Sequence, residues 1–172
     1  LKKNLKRNFP NSKVKIITTK VDKKNINDLL LQEDSNKKID FFSLDIDSYD
    51  YWILERMNLS KVSVLCCEYN HWLGREKKLT IAYDENFEFL DNGIWGASLA
   101  ALVDLLRKKN FSLIAVESSG TNAFFVKNDL AKNFEVLTPE KSFKSVGRFY
   151  DQNKKKEIFQ NIKKNYHKLI EL

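Results

Sequence analysis

Two short stretches concentrate the side chains able to do chemistry. Asp45, Asp47 and Asp50 fall together in LDIDSYDYW, while Glu68, Tyr69, Asn70 and His71 follow the apolar run VSVLCC. Oxygens of Asp45, Asp47, Glu68 and Asn70 converging in one place would suit a hard divalent cation such as Mg²⁺ or Mn²⁺, or would orient a polar substrate. Asp45 and Glu68 are the foremost catalytic candidates, because a carboxylate just past a buried strand needs a partner or a use. His71 joins them as a candidate general base, since imidazole titrates near neutral pH. Asp47 or Ser48 reads equally well as a helix N-cap, and Asp50 as a first-turn anion favoured by the helix dipole. Tyr69, Asn70, Trp72 and Asn122 are candidate substrate contacts. The rings of Tyr69, Trp72, Tyr83 and Trp95 suit an aromatic pocket or a core. His167, in the basic tail, reads as a surface residue.

The elements that must position these side chains alternate between strand and helix. Leu1 to Asn8 has the pattern of a helix end, stopped by Phe9-Pro10. Val14, Ile16, Ile17 and Val21, interleaved with lysines, predict a half-exposed strand, and Ile26 to Leu31 a short helix capped near Asn25 or Asn27. Ile39 to Leu44 predicts a better buried strand leading into a helix over Tyr49 to Met57. Val62 to Cys67 predicts another strand covered on both faces. A long excursion from Trp72 to Trp95 is a candidate lid or substrate loop. Gly96 to Asn110 restores the helical period, and Phe111 to Val116 and Ala123 to Val126 form a hairpin turned at Gly120-Thr121-Asn122. Lys154 to Leu172 has the period of a basic amphipathic helix. This order defines an α/β chain with a mostly parallel sheet and one antiparallel strand at its end. In such sheets ligands bind beyond the carboxyl ends of the strands, where Asp45 to Ser48 and Glu68 to His71 lie.

Composition narrows the function classes. The 172 residues are 42% hydrophobic, enough for one domain with a sizeable core. No apolar run approaches the roughly 20 residues of a membrane-spanning helix, and LKKNLKRNF lacks the apolar stretch of a secretory signal, so the expectation is a cytoplasmic protein with no membrane partner. Cys66 and Cys67 are neighbours that point to opposite faces of a strand and read as reduced core thiols. The formal charge of +7 comes from scattered lysines with only five arginines, a distribution that argues against a nucleic-acid partner. No glycine precedes Gly74, so the early strands carry neither a G-x-G-x-x-G turn nor a P-loop; zinc spacing and a G-x-S-x-G elbow are also absent.

With these residues in place, the sequence resembles the carboxyl-terminal two-thirds of a class I S-adenosylmethionine-dependent methyltransferase, in the neighbourhood of FkbM-type enzymes. FFSLDIDSYDYW matches the fourth strand and its loop, and VSVLCCEYN the fifth. GASLAALVDLLRKKNFSLIAV and GTNAFFV match the following helix, the sixth strand and an antiparallel seventh. The likeness covers roughly residues 1 to 130. It implies a Rossmann-like methyltransferase sheet, mostly parallel with an antiparallel last strand. Residues 1–150 would form the carboxyl-terminal part of that domain, and 151–172 an amphipathic terminal helix. The family's glycine-rich turn after strand one and acidic residue after strand two have no counterpart here. The expectation is therefore an N-terminally incomplete domain that binds the cofactor poorly by itself. The resemblance implies S-adenosylmethionine as cofactor, held near Asp45, Ile46 and Asp47, and a small-molecule or sugar acceptor near Glu68, Asn70 and His71. A metal at Asp45, Asp47, Glu68 and Asn70 is implied for some branches only. Two other readings of the residues stand beside it: a metal-dependent glycosyltransferase, from the DxD pattern Asp45-Ile46-Asp47, and a non-enzymatic binding module.

Overall fold

Residues 39–44 combine β-propensity with apolar character, and so do 62–68 and 111–116, and each run ends where polar residues or a turn interrupt it. In the computed structural model, which describes residues 14–31, 37–145 and 150–172, they form β1 (Ile39–Leu44), β2 (Val62–Glu68) and β4 (Phe111–Val116). With β5 (Asn122–Lys127) they make a four-stranded sheet in the order β1-β2-β5-β4. The chain is thus α/β with a mixed sheet. β1, β2 and β4 share one direction, but β5 lies between β2 and β4 and is antiparallel to both, so β1–β2 is the sheet's single parallel ladder. Three of the four strands thus run in one direction and the last is reversed beside β4, as the order of elements leads one to expect. The tight turn after β4 forces the hairpin, and β5 then takes up the free edge of β2. Gly120 makes that turn possible: at φ 80° it sits where a Cβ would come within 2.6 Å of the Lys144 carbonyl oxygen.

Two helices cover one face of the sheet. α2 (Asp50–Arg56) and α3 (Leu99–Lys108) bury Ile53, Leu54, Leu102 and Leu106 against Leu65, Cys67, Leu113 and Phe125. Ser98 caps α3, its Oγ accepting from the Ala101 N–H at 3.2 Å and from the Leu79 N–H at 3.0 Å. Both cysteines are free and buried. No helix among the described residues is long and apolar enough to cross a membrane.

Three expectations differ from the structure, and the helix predicted over Leu1 to Asn8 lies outside the described residues. Residues 14–20 form no strand: without a ladder partner among the described residues, Val14, Ile16 and Ile17 stay exposed. Among the described residues β1 is an edge strand rather than a buried one, and Phe41 is 54% exposed. The turn into α1 (Ile26–Leu31) is fixed by a reciprocal pair, because Asp22 Oδ1 accepts the Asn25 N–H while Asn25 Oδ1 accepts the Asp22 N–H, both at 2.9 Å. Asn25, expected near the cap, is thus half of that pair, with Asp22 as the other half. The terminal helix, α5 (Gln152–Lys164), stops well short of Leu172. Asn165 turns its amide back onto the Asn161 carbonyl, and β6 (Leu169–Glu171) pairs antiparallel with β3 (Leu79–Ile81). That pairing ties down the Trp72–Trp95 excursion, which also carries a 3₁₀ turn at His71–Leu73. A short helix, α4 (Pro139–Ser142), precedes α5.

Leu102, fully buried at the centre of α3, contrasts with Phe41 at the exposed edge. Leu102→Ala should lower the unfolding free energy by about 2–5 kcal/mol in denaturant titration. Phe41→Ala should change it by no more than about 0.5 kcal/mol.

Candidate functional site

The carboxyl ends of β1 and β2 are adjacent because Leu44 pairs with Cys67 in the parallel ladder. Asp45 and Glu68, one residue further along each strand, are therefore neighbours. The loop after Asp45 folds back with Asp47 in the left-handed region at φ 54°, a conformation that Asp tolerates better than most residues. Ligand oxygens of Asp45, Asp47 and Glu68 consequently lie within 4.8 Å of one another. Asp45 and Asp47 are exposed and Glu68 is half-buried.

Asp50 holds the loop in this shape. Its carboxylate accepts the Ile46 N–H at 3.0 Å through Oδ1 and the Ser48 N–H at 3.1 Å through Oδ2. Tyr49 occupies the N-cap position of α2 with no side-chain cap hydrogen bond, so neither Asp47 nor Ser48 caps the helix, and the Ser48 hydroxyl instead donates to the Ile46 carbonyl at 3.1 Å. Burial pushes the Asp50 carboxyl up to about 6 despite these hydrogen bonds.

The triad is electrostatically unfavourable as it stands. Burial, followed by the charges of Asp45, Asp50, Asp47 and Glu117, pushes Glu68 up to about 8. Asp45 is raised by burial and then by Asp47. No lysine or arginine among the described residues pairs with any of the three. A cluster of hard oxygen donors with this charge fits a divalent cation, or a bound proton.

The other residues singled out from the sequence are placed differently. Asn70 is fully buried, with its Nδ2 donating to the Gly93 and Trp95 carbonyls at 3.0 and 2.7 Å and its Oδ1 accepting the Trp72 N–H at 2.9 Å. Its amide is thereby consumed in holding backbone and is not grouped with the three carboxylates. Tyr69 points into the core side of the sheet, where its hydroxyl donates to the Lys144 carbonyl at 2.7 Å and accepts the Lys144 N–H at 3.2 Å. Asn122 lies opposite Glu68 in the β2–β5 register, yet its Nδ2 donates to Glu117 Oε1 at 3.0 Å. His71 is only 6% exposed, stacked near Trp72 and Tyr150 with ring centroids at 4.6 and 6.4 Å. Among the described residues neither of its ring nitrogens has a hydrogen-bond partner, and neither have the indole nitrogens of Trp72 and Trp95. Burial drives the His71 imidazole down to about 4, so it is neutral near pH 7 but closed off from solvent.

Beside the triad runs a groove of about 260 Å³, lined on one side by Ile46, Asp47, Ser48 and Tyr49 and on the other by Phe87, Phe89 and residues 19–21. Asp45 faces Glu68 and is not part of this lining. The excursion was expected to be a lid or substrate loop, but Phe87 and Phe89 were not singled out. Their signal was the apolar–acidic alternation in NFEFLD within a segment too polar to be core. A cavity of about 300 Å³ lined by Leu30, Leu31, Ile39 and Lys61 lies at the opposite end of β1, remote from the carboxylates. Comparison with protein-family models, characterised proteins and solved structures gave no match to this chain.

Glu68 binds its proton more tightly in the folded than in the unfolded chain, so the folded state loses stability as pH rises from 4.5 through about 8. Glu68→Gln should remove that loss. Thermal unfolding across pH should show the variant more stable than the parent above pH 8, with the two converging below pH 4.5.

Proposed function

We propose that the chain takes part in S-adenosylmethionine-dependent methyl transfer to an oxygen or nitrogen of a small-molecule or sugar acceptor. The observation that carries this reading is the carboxylate triad at the carboxyl ends of parallel β1 and β2, opening onto the groove of Tyr49, Phe87 and Phe89. The reversed last strand also agrees with the Rossmann-like methyltransferase arrangement that the sequence resembles. The groove's aromatic walls suit a planar base, and Asp47 at its lip can accept from ribose hydroxyls.

When bound, the cofactor supplies an electrophilic methyl group on a sulfonium. The chain's own residues bind and align the two reactants, which converts an encounter in solution into a positioned in-line displacement. Glu68 is the residue suited to take the acceptor's proton, being accessible and poised to be protonated or ionised near neutral pH. His71 is packed against Trp72 and Tyr150, outside the groove lining, and takes no part in the proton transfer in this arrangement. Asp45 and Asp47 would orient the acceptor, either directly or through a divalent cation that the triad's hard oxygens suit.

The same triad supports a second reading. Asp45-Ile46-Asp47 with Glu68 could hold Mn²⁺ on the diphosphate of a nucleotide sugar, which would make the protein a glycosyltransferase.

Calorimetric titration of the whole protein with S-adenosylmethionine should give saturable binding, competed by the demethylated product. Asp45→Ala and Glu68→Ala should each abolish turnover while leaving the melting temperature at or above the parent's, because each relieves like-charge repulsion. Nucleotide-sugar binding that requires Mn²⁺, with no S-adenosylmethionine binding, would overturn the methyltransferase reading in favour of the second.

A further inference from the structure

Glu68 and Asp45 need little beyond the β1–β2 ladder to be neighbours, since each lies one residue past its last pair, Leu44 and Cys67. Asp47 is different. It sits in an irregular loop, in a left-handed conformation, and its place relative to Glu68 depends on what holds that loop to the end of β2. Asp50 shapes the loop internally, through the Ile46 and Ser48 N–H groups. The link across to β2 runs through a separate piece of chain, residues 93–97. The Gly96 N–H donates to the Ser48 carbonyl at 2.9 Å, and the Asn70 N–H donates to the Ala97 carbonyl at 2.8 Å.

The 93–97 segment has no helix or sheet ladder of its own to fix it. An isolated bridge joins it to β3 at Thr80 and Ala97, and its Gly96 carbonyl accepts the Ile81 N–H and the Thr80 hydroxyl, both at 3.1 Å. Its carbonyls at Gly93 and Trp95 both end on Asn70 Nδ2, and the Asn70 Oδ1 closes the 3₁₀ turn through the Trp72 N–H. Every hydrogen-bonding position of this amide except one acceptor lone pair is thereby used, on backbone, in a side chain with no solvent exposure. A buried amide this fully committed is a rigid strut between the strand that carries Glu68 and the segment that carries the Ser48 contact.

We infer that Asn70 is a positioning residue for the carboxylate triad: through the 93–97 segment and the Gly96–Ser48 hydrogen bond, it sets where Asp47 stands relative to Glu68. This inference rests on the triad being the working part of the site, and it moves Asn70 from the group of ligands to the frame that aims them. Side chains that orient ligating or catalytic groups from behind commonly cost about 10–100-fold in affinity or activity when replaced. Asn70→Asp is informative because it keeps the acceptor for Trp72 but loses both donors to the 93–97 carbonyls.

The test compares the parent, Asn70→Asp, Asn70→Ala and the core variant Leu102→Ala, all at a temperature where circular dichroism shows each to be folded. Two readouts are taken: amide hydrogen exchange at Ser48 and Gly96, and titration with S-adenosylmethionine and with Mn²⁺. Both Asn70 variants should speed exchange at Ser48 and Gly96 by about ten-fold or more and weaken binding by about 10–100-fold. Leu102→Ala should leave exchange at those two sites and binding close to the parent's. Unchanged exchange at Ser48 and Gly96 in both Asn70 variants would overturn the inference, and so would an equal loss in Leu102→Ala. A parent that binds neither probe would instead sink the functional reading, and the exchange data would still decide whether Asn70 holds the loop.

Discussion

The amide of Asn70 holds the carboxyl end of the sheet together. It bonds two carbonyls of a segment outside any helix or strand and one N–H of the turn that leaves β2. Buried backbone groups must be satisfied, and in irregular chain a side chain has to do it. Once residues 93–97 are fixed in this way, Gly96 reaches the loop after β1, Thr80 and Ile81 reach Gly96, and Ser98 caps α3 while accepting the Leu79 N–H. Strand ends, excursion and helix start are thus assembled around one buried polar side chain.

The acidic residues above this frame show opposite uses of burial. Asp50 is buried and hydrogen-bonded, and its charge shapes the loop. Glu68 is half-buried beside Asp45 and Asp47, with no hydrogen bond of its side chain among the described residues to offset the repulsion. A protein rarely keeps such an arrangement for stability, since removing one of the charges would relieve it, and such clusters are common where charge is needed for binding or proton transfer. That contrast is the physical reason for placing function at Asp45, Asp47 and Glu68 and structure at Asp50 and Asn70.

The excursion between β2 and α3, expected to be a lid or a substrate loop, lines the groove with Phe87 and Phe89 and is held in place as a wall. β3 pairs with the terminal strand β6, and Gly93 packs so closely on α5 that a Cβ there would lie 2.7 Å from Ile158 and Ile162. Asn161 of α5 also donates to the Asn92 carbonyl at 2.9 Å. The basic terminal helix thus spends its apolar face on the excursion, leaving its lysines to solvent. His71 and Trp72 are enclosed by the same packing, together with Tyr150.

Local pattern was enough to locate β1, β2, α3, β4 and β5, because apolar runs of strand length and a 3.6-residue period survive whatever the rest of the chain does. It was also enough to bring Asp45 and Glu68 together, since both follow strands that a parallel sheet places side by side. What the pattern could not supply was every decision that depends on a distant partner. Whether Val14 to Val21 becomes a strand depends on a neighbouring strand, and among the described residues there is none. Whether the tail remains helical past Lys164 depends on β3, some ninety residues earlier, whose free edge makes Leu169–Glu171 a strand. The roles of Asn70, Tyr69 and His71 were decided in the same way. Their residue types suit ligands and bases, but a hydrogen-bonding group buried by tertiary packing must serve whatever backbone surrounds it, and that surrounding comes from segments remote in sequence.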